Sequence, residues 1–333
     1  MKNFLQDLPK PFTVLAPLDG VTDVVFRQII TEIGKPDVLF TEFTMTDGLV
    51  SQGREKVAER LLLNEKQKPV VAQIWGTKPD HFYQVAKELQ TMGFAGIDLN
   101  MGCPVRAIVT RGSCSALIKN PTLAKEIILA TREGAGDLPV SVKTRIGFEK
   151  EEIESWITFL LELQLPMLTL HLRTVRELSQ VPAHWELMPK IIDLRNKIAP
   201  DTLIVGNGDI TSLDEIQEKY EEYGCDGFMV GRGIFANPWL FNKQVKLPEV
   251  SIEERINLFL HHIELFEKQW SNDATLNPSV NEKKVGWNGS KSFALLKKFA
   301  KTYINNFPEA SILREKLMET KTLEELKEVL HNN

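Results

Sequence analysis

Cysteine is scarce in this 333-residue chain, which contains only Cys103, Cys114 and Cys225. That low, odd count argues against a framework of disulfide bonds and favours a reducing compartment. No Cys-x-x-Cys pair or His/Cys cluster has metal-ligand spacing, so no zinc or iron–sulfur site is expected. No apolar run is long enough to span a bilayer, and the N-terminal residues lack the apolar core of a signal peptide. We therefore expect a cytoplasmic protein without membrane association.

A strong excess of positive charge is also missing, because the net charge is −5. A dedicated nucleic-acid binder is usually basic, so the total charge argues mildly against that class, although local clusters of charge matter more. The apolar fraction of 43% and the charged fraction of 26% are those of a globular protein with a sizeable core. The length suits one large domain with a small appendage, or two ordinary domains.

Short β-rich runs alternate with helical patterns over the first three quarters of the chain. The predicted strands are Phe12–Ala16, Val38–Phe43, Val70–Trp75, Gly96–Asn100, Val140–Thr144, Met167–His171, Leu203–Gly206 and Gly227–Val230. The helical patterns between them include residues 80–92, 123–132, 151–163, 185–198 and 213–223. This alternation indicates a parallel sheet, and eight units in about 240 residues predict an α/β fold, a (β/α)₈ TIM barrel, over residues 1–242. A doubly wound open sheet is the alternative.

Beyond Asn237-Pro238-Trp239 the strand-like runs stop. Helices are predicted over residues 251–270, 290–306, 309–319 and 323–330, and the polar stretch 271–289 is predicted to be a loop. Ser251-x-x-Glu254 and Thr322-x-x-Glu325 have the pattern of capping boxes. Residues 243–333 are therefore predicted to form a small all-helical domain.

In a barrel, functional residues gather at the C-terminal ends of the strands. Gly208 and Gly231-Arg232-Gly233 follow the last two predicted strands, where glycines let the backbone approach a phosphate and Arg232 adds a donor. The alternative is that these glycines only make tight turns. Gln73, Lys143 and His171 end three other strands and could hold the polar edge of a flavin. Lys143 could instead pair with Asp98, and His171 could be a buried core histidine.

Cys103 lies in the turn Asn100-Met101-Gly102-Cys103-Pro104, directly after a predicted strand. A loop cysteine on the catalytic face of a barrel can act as an acid or as a nucleophile. Cys225 is expected to be an inert packing residue, and Cys114 remains ambiguous because it follows a loop, Thr110-Arg111-Gly112-Ser113, that could fold over a substrate.

Six motifs occur in order at barrel spacing. They are Ala16-Pro17-Leu18-Asp19-Gly20-Val21-Thr22-Asp23, Asn100-Met101-Gly102-Cys103-Pro104, Val142-Lys143-Thr144-Arg145-Ile146-Gly147, His171-Leu172-Arg173-Thr174, Gly206-Asn207-Gly208-Asp209 and Gly231-Arg232-Gly233. In these motifs the chain resembles the tRNA-dihydrouridine synthases, from about Phe12 through the C-terminal helices. Each motif is weak alone, and together they are a strong match.

The resemblance implies FMN as cofactor, NADPH as reductant, and reduction of the C5–C6 double bond of specific uridines in tRNA. Hydride would pass from reduced FMN to C6, and Cys103 would give a proton to C5. We further expect a monomer. Implied cofactor-binding residues are Pro17, Leu18 and Asp19 along the ring, Gln73, Lys143 and His171 at the ring and ribityl region, and Asn207, Gly208, Asp209, Gly231 and Arg232 at the phosphate. Implied substrate residues are Asn100, which would hydrogen-bond the uracil, Arg145 and Arg173.

A basic cluster in the C-terminal segment suits docking of tRNA. Lys291, Lys297, Lys298 and Lys301 fall at i, i+6, i+7 and i+10 of one predicted helix, and Arg314 follows. These spacings place several lysines on one side of a helix, where they could contact phosphates. The alternative is a solvated amphipathic helix.

Some positions depart from the family pattern. The family often has Gln, Tyr and Gly where this chain has Glu177, Ser179 and Val181, often a basic residue at Ala107, and commonly glycine at Cys114. These differences leave the target uridine open and allow a changed substrate. The rival interpretations are an FMN-dependent barrel reductase for a small-molecule pyrimidine or other enone-like substrate, and a non-catalytic RNA-binding or scaffold protein.

Overall fold

A computed structural model describes residues 4–271 and 291–332. All eight predicted strands are present, with small differences at their ends. The strands are β1 Phe12–Leu15, β2 Val38–Phe40, β3 Thr44–Met45, β4 Val70–Trp75, β5 Gly96–Met101, β6 Val140–Arg145, β7 Met167–His171, β8 Leu203–Asn207 and β9 Gly227–Val230. The second strand is predicted to end at Phe43, but β2 ends at Phe40 and a separate two-residue strand, β3, begins at Thr44.

The strands close into a barrel. The hydrogen-bonded order is β2-β1-β9-β8-β7-β6-β5-β4-β3, and the additional pairing of β2 with β4 closes the ring. β2 and β3 both pair with β4, at Leu39↔Val70 and Thr44↔Ile74. Together they occupy one strand position of an eight-stranded barrel. Every pairing is parallel. The barrel prediction is confirmed, and the open doubly wound sheet is wrong.

Helices connect successive strands. In the barrel they are α1 Val24–Gly34, α2 Thr46–Leu49, α3 Glu55–Ala58, α4 Pro79–Leu89, α5 Arg106–Val109, α6 Pro121–Ala135, α7 Thr158–Glu162, α8 Met188–Ile198, α9 Leu213–Tyr223 and α10 Gly233–Ala236. Short 3₁₀ turns occur at Phe4–Asp7, Glu59–Leu61, Glu65–Gln67, Cys114–Lys119, Trp185–Leu187 and Leu247–Glu249, and a π-helical turn at Ile153–Ile157 precedes α7. The apolar faces of the barrel helices pack on the strands, and the strands are themselves almost completely buried.

The C-terminal part is helical, with α11 Ile252–Trp270, α12 Ala294–Lys297, α13 Ala300–Tyr303, α14 Ala310–Glu319 and α15 Leu323–His331. Ser251 caps α11 in a capping box with Glu254, as predicted. Thr322 accepts from the backbone N–H of Glu325, but the Glu325 carboxylate returns to the N–H of Lys321 instead of Thr322. The second capping box is therefore only half formed.

The single helix predicted over residues 290–306 is wrong. Two one-turn helices, α12 and α13, take its place, and the backbone bonds of Leu296, Phe299 and Thr302 reach back three residues instead of four. This tighter winding lets Leu296, Phe299 and Tyr303 all be buried. Ser290 and residues 272–289 of the predicted loop lie outside the described residues.

The C-terminal helices pack against α1, on the barrel's first unit. Phe26 stacks on Phe299 with ring centroids 5.2 Å apart, and Nε2 of His261 lies 2.7 Å from a carboxylate oxygen of Glu32. These contacts hold the C-terminal helices beside the first barrel helix. Within the described ranges, 4–271 and 291–332, every helix is too short or too polar to cross a membrane.

Candidate active site

A cavity of about 600 Å³ opens at the carboxyl ends of the barrel strands. Because parallel strands end at the same rim, residues far apart in sequence converge there. Its lining includes thirteen of the residues predicted from sequence: Pro17, Leu18, Asn100, Cys103, Lys143, Arg145, His171, Arg173, Asn207, Gly208, Asp209, Gly231 and Arg232. The cavity also contains Ser179, one of the atypical positions, and Phe43, which the sequence does not indicate as a site residue.

Two predicted residues lie outside the lining. Asp19 pairs with Arg60, with Nη2 3.1 Å from the carboxylate oxygen, and about half of its side chain is exposed. Gln73 is completely buried beneath the cavity. Its side-chain nitrogen donates to Asp98 at 2.8 Å, and its side-chain oxygen accepts from Asn100 at 3.0 Å. Gln73 therefore supports a cavity residue from below.

The chain of buried polar groups continues from Asp98 to the turn that carries Cys103. Ser141 donates to the second oxygen of Asp98 at 2.6 Å. Burial raises the pKa of Asp98 to about 6, although hydrogen bonds from Ser141 and Gln73 oppose that shift. Asn100, predicted to hydrogen-bond the uracil, lines the cavity, and its Oδ1 accepts the backbone N–H groups of Gly102 (3.1 Å) and Cys103 (3.0 Å). Its amide therefore positions the Cys103 turn.

The Cys103 thiol is partly exposed and lines the cavity. A hydrogen bond from the Cys114 thiol lowers the pKa of Cys103 to about 7, assisted by the backbone N–H of Val105 and the charge of Arg145, while burial opposes the shift. A thiol with such a pKa can hold or release a proton near neutral pH.

Arg145 joins the Cys103 turn to the loop that follows β7. Its Nε donates to the carbonyl of Gly102 at 2.9 Å, and Nη1 donates to the carbonyls of Thr174 (2.9 Å) and Leu178 (2.8 Å). The guanidinium is almost completely buried, and burial lowers its pKa to about 10. This positive charge is therefore fixed beside the turn that carries Cys103, and it lowers the pKa of that thiol.

Lys143 and His171 face the cavity from neighbouring strands. Lys143 donates to Oδ1 of Asn207 at 3.1 Å, so its ammonium is directed at Asn207 instead of Asp98, the partner expected in the alternative interpretation. Burial, followed by repulsion from Arg145, lowers the pKa of Lys143 to about 8. Burial and four surrounding cations lower the pKa of His171 well below its usual value, so the imidazole is neutral. The His171 ring is therefore an uncharged group among cations, and it adds no positive charge that would attract an anion.

Basic groups and glycine backbone also gather where the cavity meets the ends of β7, β8 and β9. Arg173 donates to Asp209, and Nη2 of Arg232 lies 3.3 Å from the other Asp209 oxygen. Gly208 has φ +142°, and a Cβ there would come within 2.6 Å of the Cβ of Ala183, so this glycine is required by its turn. A Cβ at Gly231 would meet only the Cβ of Ala16, at 3.9 Å, so the backbone at Gly231 lines open space.

The loop with the atypical residues forms one wall of the cavity. Glu177 accepts from the N–H of Thr174 at 2.7 Å and lies 3.0 Å from Nε2 of His184. The carbonyl of Val181 accepts from Nε of Arg173 at 2.6 Å, and Ser179 lines the cavity itself. Of the three residues, Ser179 is therefore the one placed to contact a bound molecule.

Four of the five basic residues predicted to dock tRNA share a surface groove of about 540 Å³. They are Lys297, Lys298, Lys301 and Arg314. Lys297 also donates to the carbonyls of Met318 and Thr320, and Arg314 donates to the carbonyl of Ile304 at 2.7 Å. Lys301 is exposed. The division into two short helices thus still leaves these four cations on one face.

Lys291 lies apart from this groove. Its ammonium is 3.5 Å from Asp23 and 3.4 Å from Glu59, and it lies 4.1 Å from the centroid of the Trp270 ring. Only 13% of its side chain is exposed. Lys291 therefore connects the C-terminal segment to the first barrel unit.

The closed parallel barrel and the polar cavity at its carboxyl rim define a (β/α)₈-barrel protein with its site where barrel enzymes have theirs. Among solved structures, morphinone reductase superposes with a TM-score of 0.53 at 14% identity, over 72% of this chain and 87% of that one. At such low identity the likeness concerns the fold alone.

Sequence relatives define the family. A probable tRNA-dihydrouridine synthase 2 of Bacillus subtilis (strain 168) is 42% identical over 331 residues, covering 99% of this chain and 96% of the relative. A probable tRNA-dihydrouridine synthase of Staphylococcus aureus (strain MRSA252) is 43% identical over 99% of this chain and 95% of the relative. The profile of the dihydrouridine synthase (Dus) family matches residues 14–332. The chain belongs to the dihydrouridine synthase family.

Proposed function

We propose that this protein is an FMN-dependent tRNA-dihydrouridine synthase that reduces the C5–C6 double bond of specific uridines in tRNA, with NADPH as reductant. The observation that carries the proposal is the position of the Cys103 thiol on the same cavity as Lys143, His171 and the basic groups around Asp209. Family membership and the relatives' names support the same activity. A tRNA substrate also supports a cytoplasmic location.

The cavity suits FMN in both size and donor chemistry. A volume of about 600 Å³ is within the range of cofactor sites. The open backbone at Gly231, the side chain of Asn207 and the cation of Arg232 would hold the phosphate, while Lys143 would hold the polar edge of the ring. Pro17 and Leu18 offer an apolar wall. When bound and reduced, FMN supplies the hydride for C6 of the uracil.

Cys103 would give the proton to C5 of the uracil. Its pKa of about 7 leaves a large thiol fraction at neutral pH while making proton release easy. Asn100 fixes the backbone of the turn that carries the thiol, and Arg145 fixes the same turn through the carbonyl of Gly102. Arg145 and Arg173 also line the cavity, and they would contact the uracil or its phosphates.

A uridine within folded tRNA must leave its stack before it can enter this cavity. Binding energy for that step must come from contacts elsewhere on the tRNA. We propose that residues 243–333 form a docking domain, in which Lys297, Lys298, Lys301 and Arg314 contact backbone phosphates through their shared groove. Lys291 would act indirectly, by holding the C-terminal segment to the barrel.

The test is to map dihydrouridine in tRNA from cells with and without this protein, and to repeat the reaction with purified protein, unmodified tRNA and NADPH. We expect one or a few dihydrouridine positions to be lost without the protein and restored by the purified enzyme. Free uridine and uracil serve as controls for the small-molecule alternative. An unchanged dihydrouridine map, together with reduction of free pyrimidine by the purified protein, would overturn the proposal.

A further inference from the structure

Two thiols meet at the edge of the cavity. The thiols of Cys103 and Cys114 lie close enough to shift each other's pKa, downward for Cys103 and upward for Cys114. The two segments are also joined through Ser115, whose hydroxyl donates to the carbonyl of Cys103 at 2.8 Å. The third cysteine, Cys225, is completely buried beside Gly206. Cys103 and Cys114 therefore form a pair, and Cys225 provides an internal comparison.

The paired thiols differ in reactivity. Cys103 is partly exposed at the cavity, where the cation of Arg145 lowers its pKa more than the carboxylate of Asp19 raises it. Its lowered pKa gives a substantial thiolate fraction at neutral pH. Burial raises the pKa of Cys114 well above its usual value. An accessible thiolate beside a second, protected thiol is the arrangement in which oxidation proceeds to a disulfide.

The backbone at Cys114 supports a specific role for its side chain. Its φ of +53° lies in the left-handed region, which favours glycine. The cysteine side chain is nevertheless present there, with no exposed surface. Strained backbone of this kind concentrates at functional sites. The unfavourable backbone conformation therefore supports a functional role for the Cys114 thiol next to Cys103.

We propose that Cys103 and Cys114 form a reversible intramolecular disulfide when a hydroperoxide reaches the cavity. The Cys103 thiolate attacks one oxygen of hydrogen peroxide, the O–O bond breaks, and a sulfenic acid forms on Cys103. The other oxygen leaves as hydroxide and is protonated to water. The Cys114 sulfur then attacks the Cys103 sulfur, the S–O bond breaks, and hydroxide leaves and is protonated. In total, two thiols are oxidised and one hydrogen peroxide is reduced to two waters.

Reduction by an external dithiol regenerates both thiols, and the dithiol is itself oxidised to a disulfide. The disulfide would remove the proton that Cys103 carries, so it would stop uridine reduction reversibly. This consequence rests on the proposed function. Formation of the disulfide depends only on the two thiols, so the disulfide proposal and the proposed tRNA-reducing activity can be tested independently.

The test treats the purified full-length protein with about one equivalent of hydrogen peroxide and counts its thiols after unfolding. We expect the count to fall from three to one. Trypsin separates Cys103 and Cys114 because Arg106 and Arg111 lie between them, so non-reduced digests should contain peptides 88–106 and 112–119 joined. Dithiothreitol should separate these peptides and restore tRNA reduction.

Two variants make the result decisive. Cys225→Ala should form the same linked peptides, whereas Cys114→Ala should form none and, when several equivalents of peroxide are added, should accumulate sulfinic or sulfonic acid on Cys103 that dithiothreitol does not reverse. Absence of the 88–106/112–119 link in the oxidised wild-type protein would overturn the proposal. A linked protein that still reduces tRNA would leave the disulfide standing and instead contradict the proposed role of Cys103 as the acid.

Discussion

The side-chain oxygen of Asn100 lies 3.0 Å from the backbone nitrogen of Cys103 and accepts its hydrogen, while the Asn100 amide nitrogen donates to Gln73. Gln73 in turn donates to Asp98, which also accepts from Ser141. The position of the reactive thiol is therefore fixed by a column of buried polar groups that begins inside the barrel. Each member of the column has its hydrogen-bonding partners only while its neighbours remain in place.

The first prediction concerns this column. We expect Asn100→Ala to reduce the free energy of unfolding by about 1–3 kcal/mol, because it leaves the Gln73 oxygen and two backbone N–H groups without their partner. We also expect dihydrouridine formation to fall by a factor of about 10² because the thiol is displaced. Urea unfolding and single-turnover reduction of tRNA measure the two effects.

Asn64→Ala is a matched control, since Asn64 also accepts a backbone N–H, from Lys66 at 3.0 Å, but in an exposed turn. Asn64 caps the 3₁₀ turn at Glu65–Gln67, so the variant should lose about 0.5–2 kcal/mol of stability, comparable to Asn100→Ala, but should leave the rate unchanged. Equal effects of the two variants on the rate would show that Asn100 does not position the thiol.

The second prediction separates the thiol from the flavin. Cys103→Ala removes the proposed acid and leaves the basic groups of the cavity in place, so bound FMN and NADPH oxidation should be retained. Formation of dihydrouridine should be lost, as measured by quantitative nucleoside analysis of the tRNA. Modification of tRNA by this variant at the normal rate would mean that Cys103 is not the acid.

The third prediction concerns the protonation of Cys103, whose pKa is lowered to about 7 chiefly by the hydrogen bond from Cys114. An acid must be protonated, so single-turnover reduction should decline as pH rises through about 7. Alkylation requires the thiolate, so the rate of iodoacetamide labelling of Cys103 should rise over the same range. Cys114→Ala should move both midpoints to higher pH, and Cys225→Ala should move neither. Midpoints near 9 in the wild-type protein would contradict this account.

Much of this site follows from sequence because a parallel barrel brings every strand end to one rim. Lys143, His171 and Asn207 could be assigned to the cavity by locating the ends of β6, β7 and β8. The buried contacts beneath the cavity could not be predicted in the same way, because they depend on how neighbouring strands are aligned. Gln73 is aligned with Asp98 across β4 and β5, and Asp98 with Ser141 across β5 and β6. A hydrophobic run locates a strand but leaves its alignment with a distant neighbour open.

The closeness of Cys103 and Cys114 could not be predicted from the sequence for a different reason. The loop between them has no periodic pattern, and its path depends on α5 and on the turn at Gly112, where φ is +77°. Similarly, the division of the C-terminal lysine segment into α12 and α13 follows from how Leu296, Phe299 and Tyr303 are buried. Tertiary packing therefore determines that this segment forms two short helices, and local helix propensity does not predict the break.

The fourth prediction concerns the basic groove. Lys301 is exposed and lines the groove with Lys297, Lys298 and Arg314, so Lys301→Ala should weaken tRNA binding without changing the unfolding temperature. If Lys301 contacts one phosphate, the slope of log affinity against log salt should decrease in magnitude by about 1. Filter binding at several salt concentrations measures this slope.

Lys316→Ala provides the comparison, because Lys316 is an exposed lysine of α14 that does not line the groove. It should leave the slope unchanged. An identical loss of affinity in both variants would indicate a diffuse effect of charge, and the groove would no longer be the docking surface.

The last prediction concerns acid stability of the contact between the C-terminal helices and the barrel. His262 is buried, its Nδ1 lies 2.9 Å from the Tyr303 hydroxyl, and burial lowers its pKa to about 4. In the unfolded chain a histidine has a pKa of about 6.5. Between these values the unfolded state binds a proton and the folded state does not, so stability falls as pH falls. The loss should approach about 3 kcal/mol at pH 4.

Urea unfolding of wild type and His262→Asn between pH 7 and pH 4 measures this contribution. The variant should be less stable at pH 7, because a buried ring and its contacts with Phe26 and Phe299 are lost. It should also lose less stability on acidification than the wild type does, so the two curves should converge towards pH 4. His331→Asn, at the exposed end of α15, should follow the wild-type curve. Curves for His262→Asn and wild type that stay parallel across this range would show that protonation of His262 does not weaken the packing of α11 against α1.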